Sequence, residues 1–481
     1  MITRENIAPR LLERYDLRGP RYTSYPPANH FHELSGERLA RRWQAGQAAS
    51  RDAGLGLYVH LPFCRSRCLY CACHVEIGTK QPLVEAYLSA LHRELELVAG
   101  HMDLTRPVSQ VVLGGGTPNF LTPEQLRRLF ARIADVWSPA AEAERSVELD
   151  PRVATPKGLD AFLAAGFNRF SLGVQDLDEE VVRRVRPGGN EMAVEEVHTH
   201  LRAAGIESVN FDLIYGLPGQ TPASAARTAE RVIKLAPTRL ALYSYAHVPW
   251  IKPHQAALER RGLPDAAQKA LISREMAARF AAAGYIPIGM DHYALPNDPL
   301  VAAQENGTLR RNFMGYTTGR GLETAACGTS AISYMGRAYG QNTKHLPAYI
   351  EALEQGRLPI ERGFLLDSED HLRRELLLEL FCNFTLDLQA LSARFAIDAP
   401  AHFARELTAL EPLLADGLVE FEFGPADPSA GAGPSDMPGQ PQRLRRIIAT
   451  DLGRFFIRNV CMVFDSYLEA EAATPVYSRT V

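Results

Sequence analysis

The stretch Tyr58-Val-His-Leu-Pro-Phe-Cys-Arg-Ser-Arg-Cys-Leu-Tyr-Cys-Ala-Cys73 puts Cys64, Cys68, Cys71 and Cys73 within ten residues. Only Cys327, Cys382 and Cys461 follow in the rest of the chain. Thiolates crowded onto one loop repel each other unless a cation holds them, so the loop reads as a metal site. An apolar strand, Leu55 to Leu61, leads into it, and Pro62 stops that strand. Three thiolates in Cys-x3-Cys-x2-Cys spacing can hold three irons of a [4Fe–4S] cube and leave the fourth open to a small molecule. Structural zinc is the alternative. Cys73, His60 or His74 could close a tetrahedron, but no second cysteine pair with ligand spacing follows.

Downstream of this loop, short β-type runs alternate with amphipathic helical patterns as far as about residue 290. Strands are expected at 55–61, 109–114, 146–150, 168–174, 208–214 and 239–245, and helices near 82–98, 122–136, 156–165, 190–204, 222–235 and 265–283. Six such units imply a parallel sheet with right-handed crossovers. No GxGxxG follows the first strand, which argues against a dinucleotide fold. Polar or glycine elements end the strands: the cysteine loop, Gly114-Gly-Gly-Thr-Pro118, Glu148-Leu-Asp-Pro151, Gln175-Asp176, Asp212 and Tyr243-Ser-Tyr-Ala-His247. In a barrel all strand C-termini share one rim, so these distant motifs would meet at one site. The expectation is an α/β fold, a partial (β/α)6 TIM-like barrel open on one side. The glycine run lacks the Lys of a phosphate loop, and alone would equally be a tight βα turn. A single buried Asp or Glu is commonly a salt-bridge partner. Several on one rim point to a site.

At 481 residues one large domain and one smaller domain are expected. Residues 1–54 read as an N-terminal arm, 55–364 as the barrel with a substrate-site extension, and 365–481 as a small helical, winged-helix-like domain. Gly424 to Gln442, rich in Pro and Gly, reads as a flexible insertion in that last domain. Helices are expected at 367–382, 388–395, 401–416 and 452–470, with strands at 418–423 and 444–449. A hydrophobic content of 46% with 22% charge is that of a globular chain. No apolar run reaches membrane length, and the clustered cysteines suit a reducing cytoplasm rather than a disulfide framework. The formal charge of −4 leaves no footprint for nucleic acid.

The cysteine loop resembles the signature of the radical S-adenosylmethionine enzymes. With Cys73 it resembles one branch of them, the oxygen-independent coproporphyrinogen III oxidases. Arg21-Tyr-Thr-Ser-Tyr-Pro26, Ile288 to Ala294, Arg310 to Thr318, Gly328 to Ser333, Tyr339 to Asn342, Cys382-Asn-Phe384 and Arg458 to Met462 resemble segments of that branch. The likeness runs from about residue 19 to 478. It implies a radical-SAM-type barrel with a [4Fe–4S] cluster on Cys64, Cys68 and Cys71. It implies one or two molecules of S-adenosylmethionine against Tyr58, Tyr70, Ala72, Cys73, Gly115, Gly116, Thr117, Glu148, Gln175, Arg186, Asp212, Ala246 and Ile332. Cys73, Tyr22 and His292 are the implied catalytic residues. Arg21, Arg310 and Arg311 are the implied substrate residues; arginines beside an aromatic segment suit carboxylates on a flat apolar ring. Taken singly, His292 would more often be a core histidine, and the arginines solvated.

The implied reaction is oxidative decarboxylation of coproporphyrinogen III to protoporphyrinogen IX, two propionates becoming vinyls, in anaerobic haem synthesis. A low-potential donor such as a flavodoxin or ferredoxin would reduce the cluster, and a monomer is expected. Departures from the branch are Pro27, Ala72 for the usual Gly, Cys327, and Pro187 where Arg is expected, with Arg184 and Arg186 nearby. A radical methyltransferase or haem-opening enzyme, or a haem chaperone, on the same scaffold is the alternative. Cys73 and the arm argue against the chaperone.

Overall fold

In the computed structural model, residues 9–46, 54–186, 192–318, 323–424, 442–468 and 477–480 are described. The central strand is β1 (Leu55–Leu61), in which Leu55, Leu57, Val59 and Leu61 are fully buried and His60 nearly so. A strand hidden on both faces belongs in the middle of a parallel sheet. Its parallel neighbours follow in chain order: β2 (Val108–Gly115), β3 (Glu144–Leu149), β4 (Arg169–Gln175), β5 (Ser208–Tyr215) and β6 (Arg239–Ser244).

The crossovers carry α1 (Gln81–Ala99), α2 (Pro123–Trp137), α3 (Pro156–Ala164), α4 (Val194–Ala203) and α5 (Pro222–Leu235), and α6 (Ala266–Ala282) follows β6. Their starts have local causes. Thr122 and Gln125 close a reciprocal cap on α2, and Asp265 and Gln268 do so on α6. Leu126, Leu129, Ile133 and Trp137 then form the buried stripe of α2.

The region 285–345 extends the sheet on both edges. The antiparallel pair β7 (Ile286–Ile288) and β8 (His292–Ala294) adds beyond β6. On the other side β9 (Glu323–Cys327) lies parallel to β1 as a seventh parallel strand. It is followed by antiparallel β10 (Ile332–Met335), β11 (Ala338–Asn342) and β12 (Ile360–Leu365), and by a two-residue strand, His32–Glu33. The strand order is linear, so the sheet stays open between its edges. Two buried carboxylates fasten β9. Glu323 pairs with Arg106 at 2.7 Å. Glu94, on α1, accepts from the Gly328 amide at 2.6 Å and from Asn342 and Tyr349. Burial lifts its carboxyl to about 7 despite these donors.

Beyond β12 a second core forms around α7 (Ser368–Asn383), with Leu376, Leu380 and Phe381 fully buried. A three-stranded sheet orders Thr385–Asp387, Arg443–Ala449 and Val419–Gly424 behind it. The N-terminal residues differ from the expected extended arm. They hold a helix, Pro9–Tyr15, whose Leu11 and Tyr15 join this second core, and another, Gly36–Gly46, whose Trp43 joins the barrel core. Pro20 to Pro27 has no helix, as its prolines require. The guanidinium of Arg458 holds it to the chain's other end, donating to the Pro20 carbonyl at 2.9 Å and to the Arg479 carbonyl at 2.8 Å. The expected helix 401–416 is three short helices, broken at Phe403 and again before Pro412. The expected helix from 452 is two, Asp451–Phe455 and Ile457–Met462, because Phe456 leaves helical geometry to bury its ring. Pro187 and nearly all of the 424–442 insertion lie outside the described residues.

Candidate active site

The rim at the C-terminal ends of β1 to β3 is built around close backbone approach. The Gly116 amide donates to the Leu61 carbonyl at 2.8 Å and the Thr117 amide to Phe63 at 3.0 Å, so the glycine run lies directly on the cysteine loop. At Gly116 a Cβ would stand 2.6 Å from the Pro62 carbonyl carbon. At Gly115, where φ is +106°, it would run into the His60 ring. Gly114 leaves room for the Glu148 carboxylate, which accepts from the Gly115 amide at 3.3 Å. These glycines therefore do two things: they pack the cysteine loop and they keep backbone within reach of whatever fills the rim.

Cys64, Cys68 and Cys71 are partly exposed on their loop. The Cys64 sulfur lies 3.3 Å from the Thr117 hydroxyl, and Arg152 donates to the Cys68 sulfur at 3.2 Å while paired with Asp150 at 2.6 Å. The Cys71 thiol is pulled down by a hydrogen bond with Cys73, helped by Lys252 and Arg67. Three side chains after β6 grip the loop's carbonyls: Lys252 on Cys73 at 3.2 Å, His254 on Cys71 at 2.9 Å and Gln255 on Tyr70 at 2.9 Å. Sequence reasoning missed Arg152 and this grip, although Arg152 directly follows the quoted Glu148–Pro151 motif. Cys64, Cys68 and Cys71 offer three thiolates from one loop, a donor set that fits a cluster taking each thiolate on a different iron.

A cavity of about 280 Å³ opens beside this loop. Tyr58, His60, Cys73, Gly115 and Glu148 line one part, and Asn312, Phe313, Met314, Ile332, Tyr334, Tyr339 and Arg374 line another. Cys73 keeps accessible surface because it faces this space. Burial drives His60 down to about 4, so it is neutral. Its Nε2 lies 3.2 Å from the His74 carbonyl, which only accepts; Nε2 therefore carries the proton and Nδ1 accepts from the Tyr58 hydroxyl at 3.1 Å. Glu148 keeps accessible surface toward the cavity but sits deep in the fold, and this setting first, then the nearby Asp212, lifts its carboxyl to about 7. Asp212 is held by the Ser171 hydroxyl at 2.8 Å and the Asn210 amide at 2.9 Å.

The other expected residues are placed as follows. Arg186 donates to the Tyr70 hydroxyl at 3.1 Å and stands 3.9 Å from Asp150, under the cysteine loop. Gln175 sits at φ +68° where β4 slips register against β5, and Ala246 follows β6, partly buried. Ala72 is exposed on the cysteine loop.

Several expected catalytic and substrate residues are turned elsewhere. Tyr22 donates to Asp465 at 3.0 Å and packs on Phe381, inside the second core. His292 is buried against Asp291 at 2.7 Å, between the rings of Tyr243 and Tyr316. Arg311 grips Asp291 with two nitrogens at 3.1 and 3.3 Å. Arg310 pairs with Glu379 at 2.5 Å, and Arg21 donates to the Ser244 carbonyl at 3.2 Å. Arg310 and Arg311, the implied substrate residues, are both buried and paired with internal carboxylates. Arg374, which no sequence pattern marks, is the arginine that lines the cavity.

A cysteine loop beside a glycine–carboxylate rim on a parallel sheet is the arrangement of a radical S-adenosylmethionine protein, and residues 58–232 match the profile of the Radical SAM superfamily. Residues 366–425 match the HemN C-terminal domain. The chain is 41% identical to the oxygen-independent coproporphyrinogen III oxidase of Pseudomonas aeruginosa, with 95% of each chain covered. It is 39% identical to that of Escherichia coli, over 98% of each. The solved structure of the Escherichia coli enzyme, described as coproporphyrinogen III oxidase (HemN), a radical SAM enzyme, superposes with a TM-score of 0.83 over 93% of this chain and 98% of that one. The chain belongs to the oxygen-independent coproporphyrinogen III oxidase family.

Proposed function

We infer that this chain converts coproporphyrinogen III to protoporphyrinogen IX. The observation that carries the reading is the cavity: Cys73, Gly115 and Glu148 form its cofactor wall, and an aromatic hairpin with one arginine faces them. At each reacting propionate a hydrogen atom leaves the β-carbon for the adenosyl radical, then carbon dioxide leaves and one electron passes to an external one-electron acceptor, and the vinyl double bond forms. When bound, the cluster and S-adenosylmethionine supply the electron and the adenosyl radical that takes this hydrogen. The chain's own part is to hold and exclude. Cys64, Cys68 and Cys71 would carry the cluster, with Arg152 donating to one sulfur. Ionised Glu148 would hold the cationic end of S-adenosylmethionine beside Gly115. Tyr334, Tyr339 and Phe313 would bury the macrocycle and keep water from the reacting carbon.

A second S-adenosylmethionine would meet Tyr58, Cys73 and Ile332 in the same cavity, with Arg186 beside Tyr70; anaerobic equilibrium dialysis gives the stoichiometry. The electron donor is a low-potential flavodoxin or ferredoxin, and the chain works as a cytoplasmic monomer, which sedimentation of the holoprotein tests. No helix among the described residues is long and apolar enough to cross a membrane. The deciding experiment is an anaerobic assay of cluster-loaded protein with coproporphyrinogen III, S-adenosylmethionine and a strong reductant. Vinyl product with stoichiometric methionine is expected. Methionine release without vinyl product, under conditions where the substrate binds, would remove the reading in favour of another radical reaction on this scaffold.

A further inference from the structure

We propose that Arg374, on the second domain's helix α7, is the residue that recognises a propionate carboxylate of the macrocycle and so sets its orientation in the cavity. The proposal rests on the substrate reading above. Among the described residues lining the cavity Arg374 is the only arginine or lysine, and Glu148 the only carboxylate. The two belong to different neighbourhoods. Glu148 sits with Gly115 on the rim, whereas the Arg374 guanidinium lies 4.1 Å above the Tyr334 ring centroid on the β10–β11 hairpin. A cationic cofactor end and an anionic substrate end would thus be drawn to opposite parts of one space.

The guanidinium is prepared for such a ligand. Its Nε donates to the Tyr339 hydroxyl at 3.0 Å, and Nη1 pairs with Glu375 at 2.7 Å. Nη2 has no partner among the described residues. Glu375 is also gripped by Arg394 at 2.8 Å, so one carboxylate faces two guanidiniums and a positive charge is left over. The Tyr334 and Tyr339 rings, 4.6 Å apart, fix the plane of the fork and offer an apolar wall for a flat ring beside it. Stacked arginine with an open edge is suited to hold a carboxylate in one orientation. Arg21, Arg310 and Arg311 are each engaged by internal oxygens and do not line this cavity.

The alternative role is mechanical: the stack on Tyr334 would merely dock α7 on the hairpin. The test uses cluster-loaded full chain, kept anaerobic and reduced, titrated by quenching of its own fluorescence with coproporphyrinogen III and with its tetraamide, in which every carboxylate is a neutral amide. In the wild type the acid should bind more tightly than the amide. In Arg374→Gln that preference should fall roughly tenfold to a hundredfold, with Arg374→Lys in between. A docking role predicts that both ligands weaken together and their ratio stays at the wild-type value, which would overturn the proposal. Should Arg374→Gln fail to load its cluster, Arg374→Lys carries the same comparison of ratios. A wild-type protein that binds neither porphyrinogen would overturn the substrate reading itself, and the proposal with it.

Discussion

The Gly115 amide donates to the Glu148 carboxylate at 3.3 Å, joining the glycine turn after β2 to the end of β3. One neutral donor does not repay the desolvation of that carboxylate, and Asp212 opposes its ionisation further. Its proton is therefore lost near pH 7, where an ordinary carboxyl loses it near 4.5. A folded-state value above the unfolded one makes the contribution to stability fall as pH rises from about 4.5 to about 7. Glu148→Gln should accordingly resist urea better than wild type above pH 7, with the gap closing below about 4.5. Binding of S-adenosylmethionine has the opposite sign, since the cation needs the ionised form. Its affinity should rise through about pH 7 in wild type and stay flat and weak in Glu148→Gln. Parallel pH profiles in the two proteins would detach Glu148 from the cofactor.

The rim was legible in the sequence because chemistry and burial leave different marks there. Strands β1, β2, β5 and β6 carry buried apolar runs while β3 and β4 alternate buried and partly exposed residues, and each ends in a polar or glycine element that burial does not require. The arginines were not legible. Arg310 and Arg311 stand beside Phe313 and Tyr316 in sequence, which suggested a ligand site, but their partners Asp291 and Glu379 come from other elements. Arg374, flanked by Arg373 and Glu375, has the pattern of a solvated helix face; only the approach of α7 to the β10–β11 hairpin turns it inward. Strand β9 was missed for a similar reason. Glu323-Thr-Ala-Ala-Cys327 is short and weakly apolar, and it is held by Arg106, Glu94 and the neighbouring β1, not by its own propensity.

Substitution of the cysteines should separate two groups. Cys64→Ala, Cys68→Ala and Cys71→Ala should each lose the visible iron–sulfur absorption after anaerobic reconstitution, and Cys73→Ala should retain it. Arg152→Gln should retain the cluster but alter its reduction potential, because the guanidinium donates to the Cys68 sulfur. Stoichiometric zinc in place of iron after reconstitution would contradict the assignment.

Gly115→Ala tests the close approach on the rim. At φ +106° a side chain is strained, at a cost on the order of 1–3 kcal/mol, and here its Cβ also meets the His60 ring. Lower stability in urea is expected together with loss of S-adenosylmethionine binding. Gly205 has a similar φ, +83°, with nothing within 4 Å of an added Cβ. Gly205→Ala should therefore carry backbone strain alone and leave cofactor affinity untouched, and equal affinities in both variants would reduce Gly115 to a turn residue.

Breaking the Arg311–Asp291 pair should be costly. Both groups are buried, and removing Arg311 leaves the Asp291 charge with only the His292 ring beside it, a loss of about 3–5 kcal/mol. Arg311→Met should show this by chemical denaturation. The double variant with Asp291→Asn should recover much of it, because no lone charge remains. If Arg311→Met costs little stability yet abolishes substrate binding, the residue faces ligand and not Asp291.

The last test divides two residues that the family resemblance groups as catalytic. Cys73 lines the cavity beside Glu148, whereas the Tyr22 hydroxyl donates to Asp465 and its ring packs on Phe381. Reductive cleavage of S-adenosylmethionine needs the cluster and the rim, both intact in either variant. Cys73→Ser should therefore still release methionine under strong chemical reductant yet make little vinyl product, since a small misplacement at the reacting carbon can cost about a hundredfold. Tyr22→Phe keeps the ring and leaves a buried Asp465 oxygen without its donor, which should cost about 1–3 kcal/mol in stability. Its turnover per folded molecule should remain near that of wild type at low temperature and fail earlier on warming, as the N-terminal segment loosens from the second core. A Tyr22→Phe protein as stable as wild type but unable to form product would place the phenol at the substrate, and would mean that the N-terminal segment moves when the macrocycle enters.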